Sequence, residues 1–269
     1  MSSLPTDRKK TADHDDVAAV LRLEGVTKRY GALTVTDDVD FVLGAGDRHA
    51  LIGPNGAGKT TLFNLIAGRV PVTSGRIFLK GSEITRVREE VRARRGIGRT
   101  FQHSELFGSL DPVQNVVMAL RRRRGARITI FPSRRKDHEL RDQACQLLEQ
   151  VGLPPELAHH VQDLAHGQRR QLEVAMALAQ QPDVLLFDEP TAGMSTAETD
   201  VFRDIFRQLP ADLAVVLIEH DLDVVFSLAS QVTVLAAGSV IASGEPAAIR
   251  SSEEVRDAYL GTNLEGVFR

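Results

Sequence analysis

One cysteine, Cys145, stands in a chain of 269 residues, so an internal disulfide framework is excluded and a reducing compartment is the expectation. Long apolar runs are also missing. The longest, such as Leu213 to Ile218, fall far short of the ~20 residues that span a bilayer. Arg8, Lys9 and Lys10 have no apolar segment behind them, so no signal peptide is expected and the protein is placed in the cytoplasm. No aromatic residue interleaves Arg121 to Arg124, as a nucleic-acid stacking platform would require, so nucleic acid is not an expected partner. With 42% hydrophobic and 26% charged residues, the chain suits one large α/β domain, or a core with a small inserted subdomain.

Charge is sparse in sum and uneven in place. The net value is −3, yet fourteen Arg or Lys lie between Arg86 and Lys136 against four Asp or Glu, leaving −13 for the rest. A basic middle of this kind attracts acidic lipid, an acidic protein surface or nucleic acid, or is a solvated helical face.

What is present centres on Leu51 to Thr61, LIGPNGAGKTT, between an apolar run and the helically spaced Leu62, Phe63, Leu65 and Ile66. Gly53, Gly58, Lys59 and Thr60 match G-x-x-x-x-G-K-[ST] in the strand–loop–helix context the pattern needs. Glycines let backbone N–H groups turn inward around an anion, and a helix starting near Lys59 adds its positive end. Lys59 is expected to bridge the β- and γ-phosphates, and the Thr60 hydroxyl to ligate Mg²⁺. The loop residues Pro54, Asn55, Gly56, Ala57 and Thr61 complete the cradle.

Residues 1–18 are polar and aperiodic and are expected to be disordered. Alternation through Leu21, Leu23, Val26 and then Leu33, Val35, Val39, Phe41 and Leu43 reads as antiparallel strands, with Tyr30 between them as a packing residue or an adenine-stacking surface. Short strands follow at Arg76–Leu79 and at Ile97–Gln102, the latter ending in a glutamine able to reach a metal, a water or a neighbouring domain. Residues 111 to 180 read as mostly helical, with Cys145 in the core stripe Ala144, Leu147, Leu148 and Val151 and a loop or short insertion at Gly125–Pro132. Val184–Leu185–Leu186–Phe187 is a buried strand that ends in Asp188 and Glu189. An apolar strand depositing Asp beside a phosphate loop is the expected second half of a Mg²⁺ site, with Glu189 orienting or deprotonating the attacking water. Ala214–Ile218 is another apolar strand, ending at Glu219–His220–Asp221. His220 is there either a structural residue or a sensor of the γ-phosphate. A hairpin around Gly238 and short helices from Glu245 close the chain.

Together these motifs resemble an ABC-transporter ATPase subunit over about Leu21 to Gly261. The resemblance makes Gln102 the Q-loop glutamine and a metal contact, Leu164–Ala165–His166–Gly167–Gln168 the signature, His220 the switch histidine and Tyr30 the adenine stacker. It implies an α/β P-loop NTPase of ABC type, with a mixed-sheet core, an antiparallel β subdomain and a helical subdomain inserted at about 103–180, in one domain over 19–261 with tails at 1–18 and 262–269. ATP and Mg²⁺ are the implied cofactors. The implied partners are integral-membrane permeases, a second ATPase subunit in a head-to-tail homodimer or heterodimer, and indirectly a solute-binding protein. That places the subunit peripherally on the cytoplasmic face of the plasma membrane.

Two departures stand out. Ala165 replaces the signature serine and His166 its first glycine, and Gly193–Met194–Ser195 stands where the loop after Glu189 usually ends in Asp. LAxGQxRxLE, the AGM turn, IEHD, GIGRTFQ and VRDAYLG are similar to the ATPases of branched-chain amino-acid importers, with urea and short-amide importers as close relatives. A soluble, non-transport ABC protein is the rival from another class.

Overall fold

The computed structural model describes residues 19–100, 106–123, 134–157 and 160–259. Its elements run β1 (Ala19–Tyr30), β2 (Leu33–Gly44), β3 (Arg48–Ile52), α1 (Lys59–Ala67), β4 (Ser74–Leu79), β5 (Ser82–Glu83), α2 (Glu89–Arg94) and β6 (Ile97–Arg99). Then come α3 (Pro112–Arg123), α4 (Arg134–Gln150), α5 (His166–Ala179), β7 (Val184–Asp188), α6 (Thr196–Arg207), β8 (Ala214–Ile218) and α7 (Leu222–Leu228). The chain ends in β9 (Gln231–Ala236), β10 (Ser239–Gly244), α8 (Pro246–Ser251) and α9 (Glu253–Tyr259).

Two sheets result, and their residue patterns explain them. The first is antiparallel, in the order β2-β1-β4-β5, and β1 alternates between buried Leu21 and Leu23 and outward Arg22 and Glu24. The second has the order β10-β9-β3-β8-β7-β6, parallel from β9 to β6 with β10 antiparallel at one edge. Strands covered on both faces need apolar residues at every position, and VLLFD of β7 and AVVLI of β8 are buried throughout.

Helix α1 lies between the sheets. Leu62, Phe63, Leu65 and Ile66 share a core with Leu21, Phe41 and Ile77 of the first sheet and with Val184, Leu186, Val216 and Ile218 of the second. Each such side chain contributes about 1.5–3 kcal/mol on burial, so the phosphate-loop helix is held firmly at its base. On the other face, Leu185 and Phe187 alternate away from Val184 and Leu186 and pack with α3, α4, α5 and α6. α7, α8 and α9 cover Ala50, Ile52, Val232 and Val234.

Three expectations need adjustment. The strand expected over 97–102 is paired only over Ile97–Arg99, and Gln102, like the loop at 125–132, falls outside the described residues. Cys145 is half-buried against the helical core rather than inside it, although burial still raises its thiol pKa. Helices α2, α6 and α7 have no counterpart in the sequence pattern, because α2 and α7 are short and the charged face of α6 obscures its apolar one.

Candidate nucleotide site

Parallel sheets bind ligands beyond the carboxyl ends of their strands, and the five parallel strands β9, β3, β8, β7 and β6 all end at one edge. Leu51 pairs with Ile218 and Asp188 pairs with the same Ile218, so β3, β8 and β7 finish in register. The phosphate loop, Glu189 and His220 continue directly from these ends.

The loop between β3 and α1 depends on glycine at two points. Gly53 has φ 147° and Gly58 has φ 99°, and a Cβ at either would collide with a carbonyl oxygen, that of Leu235 or of Val35. Ala57 N–H donates to Pro54 O at 3.2 Å and Gly238 N–H donates to Ala57 O at 3.1 Å, closing the loop on itself and on the β9–β10 turn. No side chain caps α1, whose first N–H groups remain available to an anion. The Lys59 ammonium is folded back onto the loop, donating to Gly53 O at 2.6 Å and Pro54 O at 3.1 Å. Burial lowers its pKa, and Glu189 opposes that shift. Thr60 is exposed on the first turn of α1.

Asp188 is 1% exposed. Its Oδ2 accepts a hydrogen bond from Arg99 Nη2 at 3.0 Å, and its Oδ1 is buried with no partner among the described residues. Burial raises the carboxyl pKa and Arg99 partly reverses that rise. Glu189, at φ 48°, leaves the strand in a left-handed turn held by its N–H to Ile218 O at 2.9 Å. Its Oε1 lies 2.7 Å from His220 Nε2.

Glu219 carries a role that the sequence pattern does not announce. It is buried, and its Oε1 accepts from Thr191 N and Oγ1 at 2.9 and 2.5 Å. Its Oε2 accepts from His220 N at 2.9 Å. One carboxylate thus braces both the turn after Glu189 and the backbone of His220. Its position one residue before the histidine is the only signal the sequence offers.

Signature residues Ala165 to Gln168 form the N-cap and first turn of α5. Ala165 is the N-cap and offers no side-chain oxygen; its own N–H donates to Gln168 Oε1 at 2.9 Å. His166 is exposed at the first helical position. Gly167 N–H donates to Glu198 Oε1 at 3.2 Å, while Glu198 Oε2 accepts from Ser195 N and Oγ at 2.9 and 2.8 Å. These bonds, those of Ser195 first, lower the Glu198 pKa. Ser195, where an Asp is the family expectation, caps α6. Among the described residues no hydrogen bond or ion pair joins 165–168 to the chain's own phosphate loop. Tyr30, half-exposed at the end of β1, carries Lys28 Nζ at 4.8 Å from its ring centroid.

A glycine-lined phosphate cradle on a parallel sheet, with paired strand-end carboxylates, defines a P-loop nucleotide-binding cassette. Residues 36–192 match the family model described as ABC transporter, and residues 239–264 match a second model, branched-chain amino acid ATP-binding cassette transporter. The chain belongs to the ABC transporter ATPase family. It is 35% identical over 249 residues to the high-affinity branched-chain amino acid transport ATP-binding protein BraF of Pseudomonas aeruginosa, covering 90% of this chain and 98% of that one. It is 34% identical to LivG of Escherichia coli K12 over the same shares, and 31% identical to the lipopolysaccharide export system ATP-binding protein LptB of that strain, over 91% and 99%. The crystal structure of a nucleotide-free ATP-binding cassette from an ABC transporter superposes with a TM-score of 0.76 at 26% identity, covering 90% of this chain and 99% of that one. The ADP conformation of the cassette MJ1267 gives the same figures. No helix among the described residues is long and apolar enough to cross a membrane.

Proposed function

We propose that this chain is the ATP-hydrolysing motor subunit of an importer for branched-chain, hydrophobic amino acids. The observation that carries the motor reading is the 2.7 Å pair of Glu189 and His220 at the strand edge that also holds the phosphate loop. The reading of the solute rests on the names of BraF and LivG and on the second family model over the C-terminal strand and helices.

ATP is bound with its phosphates in the cradle of Gly53 to Thr61 and its base on Tyr30. Lys59 exchanges its two loop carbonyls for phosphate oxygens. That exchange costs little, because the ammonium is already desolvated and poised. The donor set fits a small hard cation: Asp188 Oδ1 is buried and unpartnered among the described residues, and Thr60 is exposed on the first turn of α1. Mg²⁺, when bound, neutralises charge on the phosphoryl oxygens. Asp188, Thr60 and Gln102 would hold it. Glu189 takes the proton of the attacking water, and His220 fixes the carboxylate's rotamer through Nε2.

Hydrolysis requires a second subunit. Among the described residues the signature makes no hydrogen bond or ion pair to its own phosphate loop, and Ala165 to Gln168 serve the ATP of a partner cassette in a head-to-tail dimer. The contact that Ala165 lacks comes from backbone or from Gly167, whose N–H must leave Glu198 Oε1 to make it. The dimer docks from the cytoplasmic face on integral-membrane permeases, fed by a solute-binding protein, with Gln102 and the helical segment 103–180 relaying nucleotide state. The folded unit spans 19–261, with tails at 1–18 and 262–269. The test is uptake of labelled leucine, urea and a short amide in cells lacking this chain. Leucine uptake restored by wild type and not by Glu189→Gln supports the assignment; urea or amide uptake restored instead moves the solute, and no restoration refutes the transport reading.

A further inference from the structure

Arg99 has no assigned role, yet it forms a buried ion pair with Asp188. It ends β6, where the parallel register sets it opposite Leu186, two positions before Asp188 on the same sheet face. Nη2 donates to Asp188 Oδ2 at 3.0 Å and Nη1 donates to Asn64 Oδ1 at 2.8 Å. The guanidinium carbon stands 4.8 Å from the centroid of Phe63. Phe63 and Asn64 lie on α1, one turn beyond Lys59 and Thr60. One planar group therefore ties the strand that carries Asp188 to the helix that carries the phosphate-binding lysine.

The form of this pair is informative. The side chains are 8% and 0% exposed, so desolvation is costly, and a pair built for stability would use a bidentate fork to offset it. Here the fork is split between Asp188 and Asn64. Among the described residues, Arg99 Nε is left buried without a partner, and so is Asp188 Oδ1. Stacking on Phe63 and the bond to Asn64 fix the guanidinium plane, and the plane fixes which carboxylate oxygen it takes. The other oxygen is withheld from every donor of the described residues.

We infer that Arg99 is a positioning residue for the metal carboxylate. It anchors Asp188 through Oδ2 to the phosphate-loop helix and reserves Oδ1 for the hydration shell of a divalent cation. This rests on the Mg²⁺ assignment of Asp188 above. The Arg of GIGRTFQ thereby acquires a chemical role, since one side chain sets both the strand leading toward Gln102 and the metal carboxylate.

The test is Mn²⁺ titration of the full chain in complex with ADP, read by electron paramagnetic resonance, with ADP affinity in EDTA and thermal unfolding measured beside it. Arg99→Met weakens Mn²⁺ about tenfold, at the low end of what loss of an outer-shell partner costs, and leaves metal-free ADP affinity unchanged. Mn²⁺ affinity at the wild-type value in a cooperatively folding Arg99→Met overturns the inference, as does tighter Mn²⁺ binding, which makes Arg99 a mere counter-charge. If that variant does not fold, Arg99→Lys decides. A lysine reaches one partner and not two, so Mn²⁺ weakens by less than in Arg99→Met, and no weakening refutes positioning. Asp188→Asn separates the two readings: unchanged Mn²⁺ affinity there refutes the metal site itself, whereas lost affinity there with full affinity in both Arg99 variants refutes only the role of Arg99.

Discussion

Removing the Arg92 guanidinium will destabilise the whole cassette through the phosphate-loop helix, although Arg92 touches no part of the nucleotide site. Its side chain is buried, and Nη1 donates to Leu65 O at 2.8 Å and Ile66 O at 2.7 Å at the carbonyl end of α1, where Leu65 O also accepts from Gly68 N–H at 3.2 Å. Nη2 donates to Thr85 O at 3.0 Å and Nε to Val87 O at 2.8 Å. Burial lowers the pKa only to about 10, so the group is charged at neutral pH and lies at the negative end of the helix. Gly68 makes room for it, since a Cβ there would stand 2.8 Å from Nε. Arg92→Met keeps the apolar stem and leaves three carbonyls, those of Ile66, Thr85 and Val87, without a donor among the described residues. At about 1 kcal/mol for each, the loss is about 3 kcal/mol. For a domain of this size that lowers Tm by roughly 6–12 °C. Thermal unfolding followed by circular dichroism measures it, with hydrogen exchange reporting faster loss of protection at the end of α1. A change below about 1 kcal/mol would refute the reasoning, because it would mean that water or a neighbour replaces the guanidinium.

Acid will weaken the fold through His49. Its ring packs at 4.5 Å from Phe41 and Nε2 pairs with Thr233 Oγ1 at 2.8 Å; burial lowers its pKa to about 4, against a smaller opposing pull from Asp47. The unfolded state then binds the extra proton between about pH 6.5 and 4, so stability is full above that window and falls as pH drops through it, by about 2 kcal/mol at pH 5. Urea denaturation at pH 7 and pH 5 tests this; His49→Gln should flatten the difference, and an equal drop in that variant contradicts it. Lys59→Met should abolish ATP binding while raising or preserving Tm, because it removes a desolvated ammonium held only by loop carbonyls. Calorimetric titration showing wild-type affinity would remove Lys59 from the site.

The sequence made the sheet edge legible because its chemistry is concentrated in short runs. Gly53 to Thr61, Asp188–Glu189 and Glu219–His220 each follow an apolar strand, and an apolar strand in an α/β pattern ends where ligands bind. What stayed hidden depends on register and on distant partners. Arg99 was visible as a letter in GIGRTFQ, but only the pairing of Arg99 with Leu186 brings it to Asp188. Glu198 stands in a stretch without a legible helical pattern, yet at the third position of α6 it joins Gly167 to Ser195 across the fold. Arg92 lay in a basic stretch that read as solvated or partner-binding, and it is instead among the largest fully buried side chains. A charge run in a sequence does not reveal which member turns inward.

The central claim is that Glu189 drives hydrolysis between two cassettes. Single-turnover ATP hydrolysis with gel-filtration of the Glu189→Gln chain tests it most directly, since amide replaces carboxylate without changing shape. The account predicts ATP affinity like wild type, hydrolysis slowed at least about a hundredfold, and an ATP-dependent dimer that persists. Wild-type turnover, or an ATP-loaded variant that stays monomeric, would contradict it.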